Sequence, residues 1–265
     1  MTDWMGSNDT EQLLCAIDAD GIATLTFNNP ERRNAINPDM RNALREHLSR
    51  LMLDSDCRAI ILTGAGGHFS SGGDVSRFGI KTLLEARARQ AHGIRTIPII
   101  AEGPKPVVAA VEGCCLGMAM GIAMACDYVV AASDAKFCVA APKIGLTAEE
   151  HGLAFTVPRR LGWSGIAKRI LLTAPTLTGA ECGALGLVDE IAEPGAALAA
   201  ARRIAVEFGN VAPAAFALTK ASMSEGLHEA LRRELDHQSA VLLTQDHAEG
   251  KLAFSDKRPP KFTGA

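Results

Sequence analysis

The chain has 265 residues, 27 basic and 30 acidic side chains, a formal net charge of -3 and 48% hydrophobic residues. That length and apolar content suit one large domain with a proper core and exclude bulk disorder. The slight acidity, one Tyr and two Trp exclude nucleic-acid binding by bulk charge or by a base-stacking surface.

The first ten residues carry Asp3 and Asp9 and no apolar stretch, so no signal peptide is expected. Leu13–Asp18 and Ile22–Phe27 flank Asp20-Gly21, a hairpin signal. Asn37-Pro38 predicts a helix start, with Asn37 as cap and Pro38 in the first turn. Leu44, Leu48 and Leu51 give that helix its apolar stripe. Arg58–Thr63 reads as a buried strand before the glycine-rich Gly64–Asp74. An Arg-rich helical stretch follows and ends before Pro104-Lys105-Pro106.

Val107–Val111 is predicted as a strand, Gly113–Gly117 as its loop, Met118–Cys126 as a helix and Tyr128–Ala132 as a further strand. Glu112 and Asp127 leave only 14 uncharged residues between them, too short a run to cross a bilayer, so a soluble protein is expected. The strand-loop-helix-strand rhythm implies right-handed parallel crossovers. After about Gly145 strands become rare, and Thr178 with Glu181 forms a capping box. Ala196–Phe208, Ala214–Ser224 and Leu227–Gln245 read as helices. The chain therefore divides into an α/β core, 1–192, and a helical C-terminal region, 193–265. The seven cysteines are irregularly spaced with no C-x-x-C pair, which favours reduced thiols in a cytoplasmic setting over a zinc cluster or disulfide ladder.

The glycines admit two readings. No G-x-G-x-x-G opens a helix after the first strands and no Gly-Lys-Ser/Thr occurs, so a nucleotide loop is disfavoured. One alternative is an oxyanion hole, in which N–H groups of two loops leaving parallel strands converge on one developing charge. The candidates are Phe69-Ser70-Ser71-Gly72-Gly73-Asp74 and Gly113-Cys114-Cys115-Leu116-Gly117-Met118. The other is that the glycines serve only tight turns and close packing; Gly121 in particular reads as a helix-packing position.

Five stretches carry a resemblance. They are Asn29-Pro30-Glu31-Arg32-Arg33-Asn34-Ala35-Ile36, the Phe69–Asp74 turn, Lys105–Gly113, Cys126-Asp127, and Phe254-Ser255-Asp256-Lys257-Arg258-Pro259-Pro260-Lys261-Phe262. From about Leu13 to Phe262 the chain resembles the crotonase superfamily, the enoyl-CoA hydratase/isomerase family. The resemblance implies a crotonase-like stacked β/α core with a helical C-terminal trimerisation region. It also implies homotrimers or hexamers built as dimers of trimers, acyl-CoA thioester substrates, no metal and no redox cofactor. The Leu227, Leu231, Leu235 and Leu242 stripe is then expected to be a trimer contact.

By the same resemblance the amides of Gly73 and Met118 would be the oxyanion donors. Coenzyme A contacts would map onto Glu31, Arg32, Arg33 and Ser71, with Phe254 and Lys257 reaching the CoA end. Family hydratases place two glutamates around one water. Those positions here hold Gly121 and Ala141. Family isomerases keep one carboxylate further along, where this chain has Thr147-Ala148-Glu149-Glu150-His151-Gly152. Counting from Gly145 selects Glu149, the preferred base; counting back from Pro158 selects Glu150. His151 is a second acid-base candidate. Asp74 is expected to anchor its own loop and His68 to be exposed on a rim. A carboxylate enclosed near Met118 and Phe155 would have a raised pKa. Isomerisation of an enoyl-CoA is the expected reaction. The alternatives are hydration with an unusual base, or an acyl-CoA-binding protein without catalysis.

Overall fold

The computed structural model describes residues 12–74 and 82–265. The expectation for the first ten residues lies outside the described ones. The strands are β1 (Leu13–Ile17), β2 (Ile22–Phe27), β3 (Ala59–Gly64), β4 (Val107–Val111), β5 (Cys114–Leu116), β6 (Tyr128–Ala132), β7 (Lys136–Cys138), β8 (Leu177–Thr178) and β9 (Glu190–Ala192). The first helices are α1 (Pro38–Leu53), α2 (Leu83–Gly93), α3 (Thr96–Glu102), α4 (Met118–Met124), α5 (Leu153–Leu161), α6 (Gly165–Thr173) and α7 (Gly179–Leu185). The C-terminal ones are α8 (Ala197–Gly209), α9 (Pro213–Met223), α10 (Leu227–Val241) and α11 (Gln245–Ser255).

One sheet has the order β1-β2-β3-β4-β6-β9, and a smaller one the order β5-β7-β8. The hairpin β1–β2 is antiparallel, with Gly21 at φ 76° in its turn. From β2 to β9 the large sheet is parallel. Central strands β3 and β4 are apolar on both faces because helices cover both. Alternate side chains divide accordingly. Ile60 and Leu62 join Leu44, Leu48 and Ile97 in the larger core. Ala59 and Ile61 meet Ala201, Ile204 and Ala205 of α8 in the second. The α/β part and the helical part thus share a core across residue 192. Lys220 on α9 adds a buried ion pair to Asp127 at 2.6 Å, and Asp127 in turn accepts the Val107 N–H at 2.7 Å.

Local chemistry explains the boundaries. Asn37 accepts the Met40 N–H at 2.9 Å and caps α1. Thr178 and Glu181 complete a reciprocal capping box on α7. Thr82 and Glu85 make another on α2. Two expectations need correction. Leu227–Gln245 is not one helix: Thr244 accepts the His247 N–H and starts α11 afresh. Cys114–Leu116, expected as loop, is a strand paired with Lys136–Cys138, because a second short sheet completes its backbone hydrogen bonds.

Most of the leucine stripe 227–242 is covered by its own chain. Leu227 and Leu231 lie in the main core and Leu242 in a satellite cluster, all buried within this chain. These three pack onto this chain's own core, while Leu235 of the same stripe is only partly buried. All seven cysteines are free thiols; Cys15 is partly exposed and the other six are buried. Among the described residues no helix is long and apolar enough to cross a membrane, and no group of His, Cys, Asp and Glu is placed to hold a metal ion.

Candidate active site

The site is built on two turns and one carboxylate segment. Single-residue pairings tie the Phe69–Asp74 turn to its surroundings, Ile36 with Gly73 and Ser70 with Cys115. In the first, Ile36 donates to the Gly72 carbonyl and accepts from Asp74 N–H. That leaves the Gly73 N–H on the opposite edge of the chain. In the second, Ser70 donates to the Cys114 carbonyl and accepts from Leu116 N–H. The two turns therefore lie side by side. A methyl group placed on Gly72 would come 2.6 Å from the Leu116 oxygen and 3.8 Å from Met118 N. Only glycine permits that approach, and Gly72 also has φ 94°.

Met118 is the first residue of α4, so its N–H has no partner within the helix. The Glu150 carboxyl lies beside it, close enough for that N–H to pull the Glu150 pKa down. Glu150 also reaches Gly117, where an added methyl would sit 2.9 Å from its Oε2. The residue is half-buried, and the protein packed around its carboxyl strips away much of its solvation. Burial pushes the Glu150 pKa up to about 7, against opposing pulls from the Met118 N–H and the Arg89 charge.

Glu150 reaches this spot because position 121 has no side chain. A methyl on Gly121 would lie 2.5 Å from the His151 Cβ and 2.9 Å from the carbonyl oxygens of Glu150 and His151. The backbone of the carboxylate segment occupies the space that a glutamate at 121 would need. Ala141 begins a short 3-10 turn and is buried.

Glu149 points elsewhere: its carboxylate meets His237 Nδ1 of α10 at 2.9 Å, toward the surface. Of the two glutamates, Glu150 lies beside Met118 and Glu149 faces α10. His151 is buried, and burial and Arg41 push its pKa down to about 3, so its ring is neutral and a poor proton acceptor at neutral pH. Its φ of 54° turns the ring behind Gly121, beside Gly93 and Arg41.

The comparisons with known proteins converge. A family profile described as Enoyl-CoA hydratase/isomerase matches residues 18–265. A putative enoyl-CoA hydratase of Thermus thermophilus is 36% identical over 248 residues, covering 91% of this chain and 97% of its own length. The crotonyl-CoA hydratase of Syntrophomonas wolfei is 33% identical, covering 91% of this chain and 94% of its own. A crystal structure of an enoyl-CoA hydratase from Mycobacterium avium subsp. paratuberculosis superposes with a TM-score of 0.85 at 29% identity, covering 96% of this chain and 100% of that one.

The chain belongs to the enoyl-CoA hydratase/isomerase family. It has the crotonase fold and is an acyl-CoA enzyme of that family. Its remaining candidate residues sit as follows. Glu31 and Arg32 lie in an exposed 3-10 turn, and Arg33 follows it with φ 49°. Buried Asn34 pins this turn, accepting from Asn29 N–H and donating to the carbonyls of Ala65 and His68. Ser71 donates through N–H to the Arg33 carbonyl at 2.8 Å and through Oγ to that of Arg32 at 3.2 Å. Asp74 pairs with Arg32 at 3.6 Å, tying two loops. Phe254 and Lys257 are exposed at the end of α11.

Two smaller expectations are corrected. His68 is not a free rim residue: its Nδ1 accepts the Cys114 N–H at 3.2 Å and packs against Gly113. Phe155 lies under the Arg159 guanidinium and beside Gly226, at the α9–α10 connection. Sequence reasoning missed Glu234 and the arginines 41 and 89. Glu234 falls at core spacing on α10, in line with Leu227, Leu231 and Gln238. A charged residue on the buried stripe of an amphipathic helix was the available signal.

Proposed function

We propose that this enzyme forms a thioester enolate with one carboxylate, Glu150, and that its reaction is double-bond isomerisation of a 3-enoyl-CoA. The supporting observation is the Glu150 carboxyl beside the Met118 N–H, combined with the absence of side-chain carboxyls at positions 121 and 141. The thioester carbonyl accepts from the Gly73 and Met118 amides. In taking the Met118 N–H, it displaces the Glu150 carboxylate toward the α carbon. Glu150 then removes a C2 proton. The C–H electron pair becomes the C1–C2 double bond of a dienolate as the carbonyl π pair moves onto the thioester oxygen. Collapse of the dienolate shifts the double bond into conjugation as Glu150 returns the same proton to C4. No other reactant is consumed.

Loss of the Met118 N–H bond to substrate removes an interaction that lowers the Glu150 pKa, so binding itself makes the base stronger. On this reading Glu31, Arg32, Arg33 and Ser71 line the CoA entry, and Phe254 and Lys257 approach it from the C-terminal end. Leu218 and Met223 of α9, both 72% exposed, supply apolar surface for the proposed trimer or dimer of trimers.

Hydration is the second reading, favoured by relatives that are named hydratases. The two reactions move the absorbance of a conjugated enoyl thioester in opposite directions. Growth of that absorbance from a 3-enoyl-CoA supports isomerisation. Its loss from a 2-enoyl-CoA, with no growth from the 3-isomer, replaces it with hydration. Inactivity on both, with no solvent-deuterium exchange at the α carbon of a saturated acyl-CoA, leaves a binding protein.

A further inference from the structure

We infer that Glu234 of α10 is a positioning residue that holds the 147–152 segment so that Glu150 faces the Met118 amide. This rests on the proposed role of Glu150. The argument starts from the backbone. His151 has φ 54° and ψ 43°, and Gly152 has φ 78° and ψ 11°, so two successive residues are left-handed. Successive N–H groups in such a turn converge into a concave anion site. Here the site holds the Glu234 carboxyl: Oε1 accepts from His151 N–H at 2.7 Å and Oε2 from Gly152 N–H at 2.8 Å. Both oxygens are committed, and Glu234 is 1% exposed.

A left-handed conformation is unfavourable for histidine, which lacks glycine's freedom. The clasp offsets that cost at the residue directly after Glu150. Without it His151 relaxes to a right-handed conformation, the turn unwinds, and the Glu150 side chain leaves the Met118 N–H. Neighbours on the same helix face secure the rest of the segment. Gln238 Oε1 accepts from Thr147 N–H at 2.9 Å and from its hydroxyl at 3.0 Å. His237 meets Glu149 at 2.9 Å. Positions 234, 237 and 238 are three and four residues apart, so they share one helix face.

Burying a carboxylate in a core is costly unless it is hydrogen-bonded, and a leucine would hold α10 down equally well. Burial pushes the Glu234 pKa up to about 8 despite its two N–H bonds, with Glu150 and Glu149 adding repulsion. A carboxyl kept against that cost serves the turn rather than helix packing.

The test compares Glu234→Gln, which keeps one acceptor, with Glu234→Leu, which keeps none, in the full-length enzyme. Misplacing a catalytic group by about 1 Å costs about 10²-fold. Glu234→Leu should therefore lower kcat by that order with KM within a factor of about two, and Glu234→Gln should fall between it and wild type. Amide hydrogen exchange should quicken at His151 and Gly152 in both and stay unchanged in the sheet. Glu229→Gln, an exposed change on the same helix, should alter neither readout. If Glu234→Leu fails to fold, Glu234→Gln decides alone. Wild-type kcat in the variants overturns the inference, as does a loss of kcat accompanied by faster exchange throughout α10 and the sheet. Glu150→Gln, assayed alongside, separates the two ideas. Full activity in that variant removes the base, while the exchange data still report on the clasp. An inactive Glu150→Gln with fully active Glu234 variants removes only the clasp.

Discussion

The two glycine turns and the 147–152 segment meet at one point but are built differently. The turns are held by main-chain pairings, Ile36 with Gly73 and Ser70 with Cys115, at the ends of parallel strands. The carboxylate segment is held by side chains of α10, a helix more than 80 residues further along the chain. A turn fixed by its own backbone tolerates side-chain change. The segment's placement therefore depends on side chains of α10 and on the missing side chain at position 121.

The largest effect is expected where the two regions meet. Glu150→Gln removes the proposed proton shuttle and should lower kcat about 10²–10⁴-fold, with CoA affinity within a factor of about two. Gly73→Pro deletes one amide donor and should lower kcat about 10²–10³-fold, while substrate binding weakens less. Single-turnover assays with a 3-enoyl-CoA measure both. Equal activity of Glu150→Gln and wild type would move the base elsewhere.

The close contact between the regions gives a stability prediction. Gly121→Ala forces a methyl to within 2.5 Å of the His151 Cβ. It should destabilise by about 1–3 kcal/mol, read by denaturant midpoint, and pull Glu150 off Met118. Protonation gives another. Folded-state values near 7 for Glu150 and 8 for Glu234 lie above the ordinary 4.5. Stability from those raised values is complete below pH 4.5 and is lost as pH rises through 7 and 8. Glu150→Gln should therefore raise the unfolding free energy relative to wild type more at pH 8 than at pH 5, by on the order of 1–3 kcal/mol, read by denaturant midpoint.

Activity runs in the opposite sense, because only the ionised carboxyl takes a proton. The acid limb of kcat/KM should centre near 7, and that of kcat should lie at higher pH, since substrate takes the Met118 N–H from Glu150. Coincident limbs would mean that the amide and the carboxylate do not compete. The smallest effect is reserved for Glu149→Gln, which breaks a partly exposed pair with His237 and should change kcat by no more than a few-fold.

How much of this was legible follows the same division. Asn37-Pro38, the Thr178–Glu181 box and the uniformly apolar 107–111 run declare their structures locally, and each lies where the sequence places it. The glycine turns were legible too, because close backbone approach leaves a mark in residue type. The choice between Glu149 and Glu150 was not, because it depends on Glu234 and on the missing side chain at 121, which are far apart in sequence. The leucines 227, 231 and 242 show a related limit. Helical spacing shows that a face is buried, but not whether its own chain or a neighbour buries it.

The distribution of thiols gives the molecule a built-in reporter. Only Cys15 is partly exposed, while Cys114 and Cys115 lie buried in the short strand leading to Met118. Burial raises the pKa of both, so neither is reactive while that strand stays paired. A thiol-directed chromophore should therefore modify the native enzyme at one position. Any further modification at 114 or 115 would clock transient opening beside the Met118 amide, and acyl-CoA should slow that clock without affecting Cys15.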